Sequence, residues 1–94
     1  MTAGRGAAER AEALALQALA FIAADEERFR RFLLSTGTTA EDVRRRAADP
    51  DFLSGVYDHM LADEPLLMAF AEEAGVEPSA VAAARYRLPG AVME

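Results

Sequence analysis

Apolar residues recur every three to four positions along most of this 94-residue chain, and no segment alternates them with polar ones. That period, about 100° per residue, belongs to a helix with one buried face; a strand repeats every second residue. Leu14, Ala15, Ala18, Leu19, Phe21 and Ile22 form one broad apolar arc, with Glu9, Arg10 and Gln17 on the opposite side. Phe52, Leu53, Val56, Tyr57, Met60 and Leu61 form a second. The chain is therefore expected to be all-α.

Cap residues divide the pattern into six helices. The first is expected over about Ala7 to Ala24. Asp25 is placed to accept the free N–H groups of a second helix, with Glu26 and Glu27 favourable in its first turn. Phe29, Phe32 and Leu33 supply its inner face, and Gly37 is a natural C-terminal stop. Thr38 with Glu41 has capping-box spacing, Thr39 being the alternative cap, for a third helix over about Ala40 to Ala48. Asp49-Pro50 opens the fourth, because proline fits where no donor is needed. Asp63 caps a fifth that tolerates Pro65 in its first turn and stops at Gly75. Glu77-Pro78 opens the sixth, which ends before Leu88-Pro89-Gly90.

Six helices, three per half, suggest a repeat. An offset of 38 residues aligns Ala24-Asp25-Glu26 with Ala62-Asp63-Glu64, Phe32 with Phe70, Gly37 with Gly75 and Val43 with Val81. The expected architecture is a compact six-helix bundle of two pseudo-symmetric three-helix units sharing one core. The shared grammar of helices and caps also yields such matches, so duplication and coincidence both remain open at this point. The expected organisation is a single domain over 1–94, with a flexible N-terminus at 1–6, units at 7–48 and 50–88, and a tail at 89–94.

Composition excludes several chemistries. There is no cysteine, so no disulfide, thiolate nucleophile or zinc–thiolate site forms. There is no lysine either, which removes Schiff-base chemistry and the lysine of a phosphate-binding loop. Net charge is −6, and the excess falls in the second half, where Arg85 and Arg87 face eight acids. Such a field repels nucleic acid. The most apolar run, Leu14 to Ala24, contains Gln17 and falls short of the roughly 18 residues of a membrane span. Residues after Arg5 do not follow the order of a secretory leader, so a cytoplasmic location is expected by default.

Differences between the halves point to candidate sites. Arg28, Arg30 and Arg31 align with Leu66, Met68 and Ala69, so a basic face becomes apolar. Leu66, Leu67 and Met68 together span more helix surface than one core contact needs, which makes them a candidate partner surface, or else extra core under the C-terminal segment. His59 replaces Phe21, with Asp63 four residues on; a boundary histidine beside a cap is the favoured reading over a metal or acid–base pair. Arg44, Arg45 and Arg46 follow a helix–Gly–helix turn and are the candidate nucleic-acid contacts, but nearby acids balance the local arginines.

The run from Glu12 to Phe21, Arg31-Phe32-Leu33 with Gly37, Asp49-Pro50-Asp51-Phe52-Leu53 and Leu61-Ala62-Asp63-Glu64 resemble a family of short bacterial proteins defined only as a domain of unknown function. The resemblance runs from about Ala8 to Arg87 and implies a small bacterial cytoplasmic protein, with no catalytic or ligand residues to carry over. The expectation is a non-enzymatic module, without catalytic, metal or cofactor-binding residues, that associates with another protein or with itself through the fifth helix. The alternative is a helix-turn-helix-like DNA-binding or regulatory domain using Arg44, Arg45 and Arg46.

Overall fold

Most of the helices begin where a short side chain takes over a backbone donor. The computed structural model describes residues 3–89, in which the helices are α1 (Ala3–Ala23), α2 (Glu26–Thr36), α3 (Ala40–Arg46), α4 (Pro50–Leu61), α5 (Glu64–Ala74) and α6 (Pro78–Arg85). Asp25 accepts from the Arg28 amide at 3.0 Å, Thr39 from that of Asp42 at 3.1 Å, and Asp63 from that of Leu66 at 3.2 Å. The cap of α3 is thus Thr39 rather than Thr38. Asp49 accepts from the Asp51 amide, while Glu77 makes no side-chain cap bond before Pro78. Gly37 and Gly75 close α2 and α5 in the left-handed conformation, at φ 68° and 72°. A side chain there would be strained, which is why glycine holds both places.

Among the described residues there is no strand, so the all-α expectation holds. The parts expected at 1–2 and 90–94, the outer ends of the flexible N-terminus and the tail, lie outside them. Helix α1 begins at Ala3, four residues ahead of the expected start at Ala7, and runs through Gly4 and Gly6 although glycine is a poor helix former. Helix α3 ends at Arg46 rather than Ala48.

Helices α1 and α4 form the central pair. Ala11, Ala15 and Ala18 are buried on α1, and their small side chains let α4 approach closely. Tyr57 of α4 is fully buried, and its hydroxyl donates to the Ala11 carbonyl at 2.5 Å. Ile22, Leu53, Val56 and Met60 complete the seam between the two helices. Helix α2 packs on α1 and α4 through Phe32; α5 packs on α1, α4 and α6 through Phe70; α6 packs on α1, α4 and α5 through Val81. Helix α3 is peripheral and has Val43 as its buried residue.

The C-terminal segment is held by polar groups. Buried Ser54 places its hydroxyl 2.8 Å from the Pro89 carbonyl and 3.1 Å from that of Pro50. Arg85 donates to Asp58 at 2.8 Å and to the Pro89 carbonyl at 3.0 Å. No buried side-chain polar atom among the described residues lacks a partner, as expected of a settled core.

Candidate functional site

His59 lies in the last turn of α4, half-buried where α4 meets α2 and the start of α5. Its ring stands edge-on to Phe32, with centroids 5.1 Å apart and planes at 87°. Its Nδ1 is 2.8 Å from the Ser35 hydroxyl, so one hydrogen bond braces α4 to α2. Burial pushes the pKa of this imidazole below its ordinary 6.5, and the Asp63 carboxylate opposes that only in part. At neutral pH the ring is therefore uncharged. Its other nitrogen makes no hydrogen bond with the described residues, and no carboxylate is positioned on it as a base-orienting partner would be. The Ser35–His59 hydrogen bond joins α2 to α4 across 24 residues of sequence.

The ring forms part of a concavity of about 150 Å³, half-open to solvent and lined by Arg28, Arg31, His59, Asp63, Pro65 and Leu66. It lies between the first turns of α2 and α5. The guanidinium of Arg28 sits over the Phe21 ring, 4.4 Å from its centroid, in a cation–π contact. Arg31 donates through Nε to Glu27 at 3.2 Å, and Arg30 binds the same carboxylate at 2.7 Å. Hydrogen bonding and charge from Arg30, then from Arg31, hold the Glu27 carboxyl below its usual pKa. Asp63 forms the acidic wall while it caps α5. A wider recess of about 550 Å³ shares His59 and Asp63 with the concavity and is otherwise lined by Ser35, Thr36, Gly55, Asp58 and Ala62.

The three residues expected to form a partner surface separate. Leu66 is 8% exposed and belongs to the core, Leu67 is half-buried against it, and Met68 is 50% exposed. Successive residues on a helix point about 100° apart, so three in a row cannot share one outward face. Of the candidate nucleic-acid contacts, Arg45 pairs with Asp42, and Arg46 lies 3.9 Å from Asp49 and 5.3 Å over the Phe52 ring. Arg44 is exposed and makes no such contact with the described residues. Among the described residues no three His, Cys, Asp or Glu side chains are grouped to hold a metal ion. No helix of the described residues is long and apolar enough to cross a membrane.

Sequence reasoning found His59 and Asp63 but missed that Arg28, Arg31 and Ser35 stand around them. A signal was present in the 38-residue offset, which aligns Phe21 with His59 and Phe32 with Phe70. The structure contains both crossed contacts, Phe21 with Phe70 at 5.6 Å and His59 with Phe32 at 5.1 Å. Crossed pairs of this kind locate α2 against the end of α4, and hence Arg28 and Arg31 near His59.

Neither the curated proteins nor the solved structures contain a match to the chain. A family model described as "Protein of unknown function (DUF3572)" matches residues 8–91, the whole span over which the resemblance was expected and a little beyond. With its six short helices and that match, the chain belongs to the DUF3572 family of proteins of unknown function.

Proposed function

We propose that this chain is a bacterial, cytoplasmic, non-enzymatic interaction module that docks on another protein, or on a second copy of itself, through α5 and the concavity at its N-terminal end. The observation that carries this reading is Met68, an unbranched apolar side chain left 50% exposed on a helix whose opposite side lies in the core. Pro65, one turn earlier, is also exposed and leads into the concavity. An adaptable methionine beside a polar pocket suits protein contact better than small-molecule chemistry. Leu66 and Leu67 would then act from beneath, fixing the helix rather than touching the partner.

The frame is read as two related three-helix units. Supporting this, α2 and α5 begin, end and are capped at positions 38 residues apart, and the two crossed ring pairs interchange under the same shift. The peripheral α3 departs from the well-packed α6, so the two units are unequal. Nucleic acid is the weaker reading, because ion pairs engage Arg45 and Arg46.

The test compares the wild-type chain with Met68→Asp. We expect unchanged helicity, since the site is exposed, and loss of self-association in size exclusion with light scattering or of a captured partner. A wild-type chain that is monomeric and retains the same proteins as Met68→Asp refutes the proposal.

A further inference from the structure

We infer that the concavity between α2 and α5 receives the C-terminal residue of a partner chain, with the terminal carboxylate on Arg28 and Arg31 and an apolar side chain against Pro65 and Leu66. This rests on the docking role proposed above and specifies the partner's chemistry.

The Asp25 carboxylate balances part of the charge on both cations, yet both guanidinium side chains line the concavity. A guanidinium over a ring face keeps its in-plane N–H groups for other partners, and Arg28 donates none of its own to the described residues. Arg31 commits Nε to Glu27 and keeps its terminal amino groups; its side chain is 67% exposed. Two guanidiniums on one wall match a carboxylate, whose two oxygens accept paired N–H groups.

The helix ends do not compete for the same role. Anion sites at helix N-termini use free backbone N–H groups, but here Asp25 and Asp63 have already taken the amides of Arg28 and Leu66. Recognition therefore falls to side chains. Asp63 on the opposite wall, and a chain of net charge −6, weigh more heavily against a dianionic phosphate than against a monoanion. Uncharged His59 adds no further positive charge.

Size and shape select the end of a chain over a free ligand. Small-molecule pockets are commonly about 300–1,000 Å³ and enclose most of the ligand. This one is about 150 Å³ and half-open, room for one side chain, with an exit for the residues that precede it. Pro65, which lines the concavity, and Met68, one turn further along α5, are both exposed and would meet them.

The test is a nitrogen-15 NMR titration of the full chain with an acetylated tetrapeptide ending in Ala-Leu, as free acid and as C-terminal amide. The acid should perturb the resonances around Arg28, Arg31 and His59 and bind about tenfold or more tightly than the amide, the scale of a charge-assisted hydrogen bond. Arg31→Gln should erase most of that preference. Asp63→Asn, which keeps the cap, should tighten binding of the acid. Arg28→Gln should also weaken binding; if it disturbs the packing on Phe21, the exposed Arg31 still decides the matter.

Equal binding of acid and amide, or no perturbation at this site, overturns the inference. So does equal binding of an amidated glutamate peptide, which would mean acidic side chains are the ligand, or saturation by N-acetyl-leucine at the same strength, which would mean a free acid. Tighter binding of inorganic phosphate overturns it as well. If Met68→Asp abolishes association while no peptide binds, the docking role stands and this inference fails. If the acid peptide binds but Met68→Asp changes no association, the pocket stands and the docking role fails.

Discussion

Removing one oxygen, in Tyr57→Phe, tests how α1 is joined to α4. The ring is fully buried, and its hydroxyl donates to the Ala11 carbonyl across the central pair at 2.5 Å. Phenylalanine keeps the packing and loses that bond. The Ala11 carbonyl, within α1, retains the helical acceptor role that a turn of helix provides, so it is not left wholly unpaired. The expected loss at neutral pH is therefore about 1 kcal/mol, near the net worth of one hydrogen bond rather than the penalty for an orphaned group. In a domain of this size that lowers the melting temperature by roughly 4–8 °C. The same burial pushes the Tyr57 pKa up to about 12 from an ordinary 10.0. A folded-state acid with a raised pKa loses its contribution as pH rises, because the unfolded chain ionises first. The wild type should thus lose stability progressively between pH 10 and 12, by roughly 2–3 kcal/mol in full, and Tyr57→Phe should show a flatter alkaline limb. Urea denaturation at neutral and alkaline pH, with a tyrosinate absorbance titration, measures both effects. Equal stability at neutral pH together with identical alkaline limbs would refute the hydrogen-bonded join.

His59 and Gly75 supply two further tests. Because burial lowers the His59 pKa, the unfolded chain binds its proton first; stability should fall as pH drops through 6.5 toward the depressed folded value, and an imidazole NMR titration should give a midpoint under 6.5. His59→Phe, which restores the residue found at position 21, should remove that acid-side dependence, with Ser35 turning to water at little cost. An unchanged slope would show that other groups cause it. Gly75→Ala forces a side chain into left-handed backbone at φ 72° with no neighbour within 4 Å, so only conformational strain acts. It should destabilise the fold by about 1 kcal/mol in chemical denaturation, and a neutral result would mean that the end of α5 rearranges freely.

The helix ends were legible because caps work over three or four residues. Asp25, Asp49 and Asp63 each bond an amide two or three positions on, and Gly37 and Gly75 act at a single position. The start of α1 was not, since alanine and the glycines around it give no stop signal. Ala11 was missed for a related reason: alanine is equally at home on a wet or a dry face, and only the neighbour reveals which. Periodicity tells which side of a helix is buried but not what covers it. The side-chain hydrogen bonds that join separate helices span distant sequence: Ser35 with His59 over 24 residues, Arg85 with Asp58 over 27, and Tyr57 with Ala11 over 46. The arginines beside His59 are likewise distant from it in sequence. Leu66, Leu67 and Met68 span more of the helix than one core contact needs, and sequence does not tell which part of that arc the core takes: Leu66 is buried, Leu67 half-buried and Met68 exposed.

On the duplication reading, the position of the concavity has a physical logic. Arg28 and Leu66 occupy corresponding places, 38 residues apart, and both line it. Asp25 and Asp63, each capping its own helix, also correspond, as do Phe21 and His59, each meeting the central aromatic of the other half. A cavity formed where two copies meet begins with like residues on both walls, and like walls recognise only a symmetric ligand. Once one copy carries arginine and the other leucine, the walls become cationic and apolar across a few ångströms. Those two characters are what a chain end presents, a carboxylate beside a side chain. The replacement of Phe21 by His59 adds a polar edge on the apolar side without adding charge, because burial keeps the ring neutral. On the duplication reading, divergence between the halves serves the proposed docking role, while the caps and central aromatics that stay alike maintain the fold.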